Sequence, residues 1–229
     1  MSTVEVAPAV IDLAETTIRE LNSRLHAAED GEGFRVLHPA GRHSVAAGLD
    51  SAIDVEIDGH VGYYCAGMSA SASLRIHGNA GPGLAENLMS GRVEVTGSAS
   101  QYAGATAHGG LIAIHGDASS RCGISLKGAD VVVQGSIGHM GAFMAQSGRL
   151  VVCGDVGEAL GDSLYEARLY VRGNVASLGA DCIEKELRDE HAAELAELLA
   201  AAGFDAEPGD FRRYGSARTL YNFHADRVD

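Results

Sequence analysis

A 19-residue repeat is the feature of this chain that most restricts its fold. The pattern is apolar–x–apolar–x–Gly, and it recurs without any insertion. Its glycines are Gly59, Gly78, Gly97, Gly116, Gly135, Gly154 and Gly173. Alternation is typical of a β-strand, whose successive side chains point to opposite faces. Because the repeat contains no helical period, we expect short β coils that stack by parallel pairing of equivalent residues.

Other positions keep the same phase. The second residue after each glycine is apolar, and the seventh is Ala or Gly in all seven coils. We interpret the glycines as permitting a positive φ at a corner, and the small residues as places where backbone passes close to backbone. The chain is therefore predicted to be an all-β solenoid, a parallel β-helix of about seven coils and roughly 34 Å long. Phe34 and Val36 indicate a degenerate earlier coil. A propeller is disfavoured because one repeat is too short for a four-stranded blade.

The segments on either side of the repeat are predicted to contain helices. Residues 12–27 have an amphipathic pattern, with Asp12 as the expected N-cap. Residues 181–202 form the second predicted helix, begun by Asp181 and ended by Gly203. The predicted organisation is an N-terminal helical extension over 1–40, a β-helix over 41–180, and a C-terminal helix with an Arg/Tyr-rich tail over 181–229.

The charge balance restricts the partners. The chain carries 17 Lys and Arg against 31 Asp and Glu, a formal net charge of −14. This excess of acid argues against nucleic acid and anionic membranes, because both need clustered basic residues. No uninterrupted apolar run approaches the ~18 residues of a membrane span. The four cysteines show neither CxxC nor zinc-ligand spacing, so we expect reduced thiols in a cytoplasmic protein.

The sequence contains no nucleophile elbow, HExxH motif or P-loop. The cysteines form no cluster that could hold an iron–sulfur centre. His77 and His115 occupy one column two coils apart, about 10 Å at the strand spacing, so we interpret them as outward-facing polar residues. We therefore expect no catalytic, cofactor-binding or metal-binding residue on this chain. An enzyme working in a groove of its own solenoid stays an alternative, although 5% aromatic residues offer little for stacking sugars.

An apolar stripe is predicted on the outside of the solenoid. The residue three positions before each glycine is charged in the first three coils and apolar in the last four. The apolar members are Ala113, Val132, Val151 and Tyr170. Such a stripe needs a cover, which is either the chain's own C-terminal helix or a partner protein.

The tail supplies the second half of a candidate interface. It is basic and aromatic in an otherwise acidic chain, and Arg and Tyr are favoured interface anchors. Packing of the tail against its own acidic solenoid is the alternative. The candidate interface residues are Val132, Val151, Tyr170, Arg212, Arg213, Tyr214, Arg218 and Tyr221.

The seven coils, over roughly residues 34–180, resemble the C-terminal GXGXG domain of the large chain of glutamate synthase. The same domain type occurs in one chain of formylmethanofuran dehydrogenase. Residues 177–187 (SLGADCIEKEL) and 211–223 (FRRYGSARTLYNF) are similar to the stand-alone GXGXG subunits of glutamate-synthase-like complexes. Among these, the chain resembles the β-helical subunit of the N-methylglutamate synthases, also called methylamine–glutamate N-methyltransferases.

The resemblance implies a right-handed β-helix that acts as a non-catalytic scaffold in a hetero-oligomer. One expected partner is a glutamine amidotransferase-like subunit, and the other is a glutamate synthase-like subunit that carries FMN and an iron–sulfur cluster. The complex would make N-methylglutamate from glutamate and methylamine and release ammonia. Two alternatives stay open, which are a paralogue that makes glutamate and a formyl-transferring complex.

Overall fold

The computed structural model describes residues 7–219. Within them the chain forms a single 11-stranded sheet, two α-helices and a short 3-10 helix, Pro208–Asp210. The helices are α1 (Ile18–His26) and α2 (Asp189–Ala202). The strands are β1 (Ala9–Asp12), β2 (Gly33–Leu37), β3 (Asp54–Asp58), β4 (Ser73–Ile76), β5 (Arg92–Val95), β6 (Leu111–Ile114), β7 (Lys127–Val133), β8 (Ser147–Val152), β9 (Arg168–Val171), β10 (Cys182–Lys185) and β11 (Arg212–Ser216). The predicted parallel β-helix is confirmed.

The coils stack with equivalent residues in register. From β3 to β9 each strand pairs in parallel with the next, and the aligned residues are 19 positions apart, as in Leu74 with Val93. The exception is Lys127 with Ser147, where the register of β7 and β8 shifts by one residue. The apolar position two residues after each glycine forms a second ladder that runs from Val61 to Val175. The predicted earlier coil is present as β2, where Phe34 aligns with Val55. β1 pairs in parallel with β2, so two strands of the sheet precede residue 41.

The glycine column exists because the coils approach closely at this position. Of its seven members, Gly59 has a positive φ and the other six do not, so the corner role predicted for those six is wrong. A Cβ on Gly116 would lie 2.8 Å from the carbonyl carbon and oxygen of Gly97, far inside normal contact distance. The Gly116 amide donates to that same oxygen at 2.8 Å.

Positive φ angles occur instead in the curved part of each coil. In the six coils that begin at Gly59 to Gly154, the fifth, seventh and ninth residues after the glycine all have positive φ. In the Gly97 coil these residues are Tyr102, Gly104 and Thr106, and their amides donate alternately to the following and the preceding coil. Left-handed conformations cost roughly 1–2 kcal/mol per non-glycine residue, and these inter-coil hydrogen bonds offset that cost.

A polar ladder runs beside the glycine column. The residue directly after each of the first six glycines has a side chain that accepts the backbone N–H of its equivalent in the next coil, as Asp117 does from Ser136 at 2.7 Å. The acceptors are His60, Asn79, Ser98, Asp117, Ser136 and Asp155. Sequence reasoning missed this ladder, although all seven positions of that column carry a hydrogen-bonding side chain.

The first helix is shorter than predicted and closes one end of the solenoid. Residues 9–12 extend the sheet, and α1 begins after Thr17, whose side chain forms a capping box with Glu20. The expected N-cap, Asp12, instead accepts hydrogen bonds from the Ala14 amide and the His38 ring. Leu21 and Leu25 of α1 are buried in the main core. Pairing of residues 9–12 with β2 outweighed the helical propensity of that segment.

The opposite end is closed by an antiparallel pair. The sheet order ends β9-β11-β10, so β11 lies between β9 and β10 and is antiparallel to both. The second helix begins at Asp189 rather than at 181, because residues 182–185 pair with β11 as β10. The Asp181 carboxylate binds Ser216 and Thr219 rather than capping a helix. Gly203 ends α2 as predicted, with a left-handed φ of 77°.

Candidate functional site

The apolar stripe is covered by the chain itself. Val132, Val151 and Tyr170 are all 0% exposed. They form a second core cluster together with Ala113, Cys153, Leu195, Leu198, Leu199, Ala202, Phe204 and Phe211. Helix α2 and the segment after it thus provide the first of the two covers considered from the sequence. The assignment of Val132, Val151 and Tyr170 to a partner interface is therefore corrected, because α2 occupies the surface they would offer.

Glu194 fastens α2 to the outer face of the sheet. Its carboxylate accepts a hydrogen bond from the Tyr170 hydroxyl at 2.6 Å, contacts Arg149 at 3.2 Å and pairs with Arg168. Burial alone would raise the pKa of Glu194, but these hydrogen bonds and charges outweigh it and lower the pKa. Arg149 also binds both carboxylate oxygens of Asp130 at 2.6 Å, which fixes its guanidinium.

Glu94 forms a matching cluster near the C-terminal end of α2. This carboxylate is 5% exposed and accepts from Arg75 at 2.6 Å, Arg92 at 3.0 Å and His115 at 3.0 Å. Burial opposes ionisation, but the three partners lower the pKa of Glu94 to about 2.

Two contacts tie the Glu94 cluster to the helix. Arg92 donates to the carbonyl of Ala201 at 2.6 Å, and the His115 ring meets Phe204 edge-on with centroids 4.9 Å apart. Charged groups therefore join α2 to the sheet in its first half and again at its C-terminal end.

The described part of the tail packs mainly against the end of its own solenoid. Tyr214 is buried, and the Arg212 guanidinium donates to the carbonyl of Gly173 at 2.7 Å. Arg213 donates to the carbonyl of Glu186, and Arg218 pairs with Glu166 at 2.8 Å. The buried position of Tyr214 corrects its assignment to a partner interface. Tyr221 lies outside the described residues.

Cations of this end, exposed or partly buried, surround an open depression of about 440 Å³, which we call the cationic groove. Its charged lining residues are Arg168, Lys185, Arg188, Arg213, Arg218 and Glu166, and the uncharged ones are Ser147, Tyr165, Ala167, Gly215 and Ser216. Five of the 17 lysines and arginines of this chain thus meet at one place. The strands β9, β10 and β11 and the start of α2 position them. Sequence reasoning identified Arg213 and Arg218 but missed the other three, which the antiparallel cap brings together.

The opposite end of the solenoid has the opposite charge. A depression of about 950 Å³ beside β1 is lined by four carboxylates and by the apolar side chains of Pro8, Ala9 and Phe34. The carboxylates belong to Asp30, Glu32, Asp54 and Glu56. The described chain is therefore acidic at its first coil and cationic at its last.

The four cysteines are buried and unpaired. Burial raises the pKa of the Cys65, Cys122 and Cys182 thiols to about 12, which disfavours the reactive thiolate. Over residues 7–219, no group of three or more His, Cys, Asp or Glu is placed to hold a metal ion. The helices in that range are too short or too polar to cross a membrane.

A comparison with known proteins identifies a close relative. No family model matches the chain. Protein GlxC of Rhizobium meliloti (strain 1021) is 60% identical over 224 residues, which cover 96% of this chain and 98% of GlxC. The chain belongs to the family of Protein GlxC.

Proposed function

We propose that this chain is the non-catalytic β-helical scaffold subunit of a glutamate-synthase-like complex, and that the complex is an N-methylglutamate synthase. The observation that carries the proposal is the stack of coils with a glycine in the same column of each, because this 19-residue repeat is what resembles the GXGXG domain. The match to GlxC supports the proposal because it covers 98% of that relative, so the two chains share the whole pattern of coils rather than a fragment of it.

A scaffold must hold its partners at a fixed separation, and the solenoid has the features of a rigid spacer. Successive coils are joined by backbone hydrogen bonds in the strands, at the glycine column and in the curved segments. Charged clusters around Glu94 and Glu194 clamp α2 along the outside. A rod braced in this way keeps two bound subunits close and correctly oriented, which raises their effective concentration for one another.

The chemistry would then take place on the partners. The glutamine amidotransferase-like subunit and the FMN- and iron–sulfur-containing subunit would assemble on this chain in the cytoplasm. In the overall reaction, methylamine supplies the nitrogen of N-methylglutamate, and the original amino nitrogen of glutamate leaves as ammonia. This chain would bind neither FMN nor the cluster.

The test is co-expression of this chain, carrying an affinity tag, with the two partner subunits. We expect both partners to be captured, the flavin absorbance to belong to the synthase-like subunit, and N-methylglutamate to form from glutamate and methylamine. The isolated chain should be folded, colourless and inactive. Turnover by the isolated chain, or equal activity of the two partners without it, would contradict a scaffold role. Glutamate as the product would assign the chain to a glutamate-making paralogue.

A further inference from the structure

We propose that the cationic groove is a docking site for an acidic surface of one partner subunit. This inference rests on the proposed function, because it names where on the scaffold a partner binds and what chemistry that partner presents. The groove is formed by Arg168, Lys185, Arg188, Arg213 and Arg218.

The charge of the whole molecule favours this position for an acidic partner. With a net charge of −14, the chain repels an acidic surface over most of its exterior. The lining of the groove contains five cations and one carboxylate, Glu166. Even with Glu186, Glu190 and Glu194, which pair with Arg188 and Arg168 beside it, the cations are in excess. The depression at the other end is lined by four carboxylates and would repel the same partner. An acidic partner is therefore directed to one end of the rod, and its orientation is fixed at the same time.

The pairing of the groove cations leaves some of them available. Arg168, Arg188 and Arg218 each have a carboxylate partner, in Glu194, Glu190 and Glu166 respectively. Among the described residues, Lys185 and Arg213 have no carboxylate within ion-pair distance. The Nε of Arg213 is buried without an acceptor in that part of the chain, which is costly for a charged group.

The pKa of His191 is lowered in part by the arginines of the groove. The ring of His191, in the first turn of α2, lies close to the groove, and its Nδ1 accepts the backbone N–H of Arg188 at 3.2 Å. Burial lowers the pKa of His191, and the charges of Arg213, Arg188 and Arg168 lower it further, against the opposing effect of Glu190. The three arginines together therefore outweigh Glu190 in their effect on this ring.

The openness of the groove indicates an extended protein surface rather than a small anion. The side chains of Arg188 and Arg218 are both 57% exposed, and that of Arg168 is 47% exposed. Single ion pairs at such exposure contribute little, because water and salt screen them. Several carboxylates on one rigid protein surface can engage the five cations together, and they also accelerate the encounter.

The experiment compares two double charge reversals in the tagged chain, each co-expressed with both partner subunits. The groove variant is Lys185→Glu with Arg188→Glu, where the second change is tolerable because a carboxylate is favourable at a helix N-terminus. The control is Arg19→Glu with Arg24→Glu, two exposed residues of α1 at the other end of the rod. Both variants change the net charge equally. Circular dichroism and thermal melting check that each is folded.

We expect the groove variant to bind one partner at least ~10-fold more weakly at low salt, mainly through slower association, while the control binds like the wild type. The difference should shrink at about 0.5 M salt, where charges are screened within a few ångströms. The charge-conserving pair Lys185→Arg with Arg188→Lys should keep full binding. Equal capture by the groove variant and the wild type would overturn the proposal and leave the scaffold function intact.

A second probe separates the two proposals. If the wild-type chain captures neither partner, the proposed function fails, and the groove is judged on the isolated chain with a fluorescent oligoglutamate peptide. Salt-sensitive binding that the groove variant loses and the control keeps would support the groove as a site for acidic protein. Retained binding of the peptide by the groove variant would overturn the groove proposal. The proposal would also be overturned if inorganic phosphate displaced the labelled peptide at as low a concentration as unlabelled peptide does.

Discussion

Replacing Gly116 by alanine tests why the glycine column exists. Gly116 does not have a positive φ, so alanine costs nothing in backbone conformation. Its Cβ would lie 2.8 Å from the carbonyl group of Gly97 and still closer to the Ser98 hydroxyl, whereas ordinary contacts begin at 3.4 Å. The two coils would therefore have to separate by about 0.6 Å even after the Ser98 side chain had moved aside. Overpacking of this kind costs about 1–3 kcal/mol, and stretching the Gly116–Gly97 hydrogen bond costs about 1 kcal/mol more. We expect the free energy of unfolding to fall by about 2–4 kcal/mol.

Gly209→Ala is the matched control for this substitution. Gly209 also lacks a positive φ, and a Cβ there would meet nothing within 4 Å. Its effect should stay within about 0.5 kcal/mol, as for other surface changes. Equilibrium urea unfolding followed by circular dichroism measures both variants, with the m-value checked for two-state behaviour. Equal stabilities of the two variants would refute the idea that close coil contact dictates glycine.

Three further outcomes are expected. Val132→Asp should lower the free energy of unfolding by about 3–5 kcal/mol in the same assay, because it places a charge without a partner under α2, and a loss below about 1 kcal/mol would contradict that burial. The free energy of unfolding should fall by about 3 kcal/mol as the pH drops from about 4.5 to about 2, because the unfolded chain takes up a proton at Glu94 that the folded chain excludes. Glu94→Gln should flatten this pH dependence. An unchanged pH dependence in that variant would refute the role of Glu94. The buried thiols of Cys65, Cys122 and Cys182 should resist iodoacetamide at pH 8 until the chain is unfolded, so rapid labelling of the native chain would be the contrary result.

The stacked coils could be predicted because the repeat itself encodes the register. With a constant period of 19 residues, only one alignment places Val93 over Leu74 and under Ile112, and a slip by one residue would turn every apolar side chain outward. The polar residues of the ladder, Asp117 and its equivalents, also recur at a fixed position of the repeat. The ladder depends on a side chain reaching a backbone amide of the next coil, which becomes evident only once the coils are aligned.

The caps could not be predicted in detail because they depend on distant partners. Residues 182–185 have a plausible helical pattern, but β11 lies 27 or more residues later along the chain and pairs with them. The sequence also could not show what covers the apolar stripe, since an apolar surface can pack against a partner protein as well as against a helix of the same chain. The contacts of Glu194 with Arg149 and Arg168 decide between these covers, and no local pattern indicates them.

A cryo-electron microscopy map of the co-purified complex is the most direct test of a scaffold role. A scaffold role predicts the solenoid between the other two subunits, with an acidic surface of one of them in the cationic groove and the flavin enclosed wholly by its own subunit. A map in which residues of the solenoid line the flavin or substrate site, or in which the solenoid contacts only one of the two partners, would contradict it.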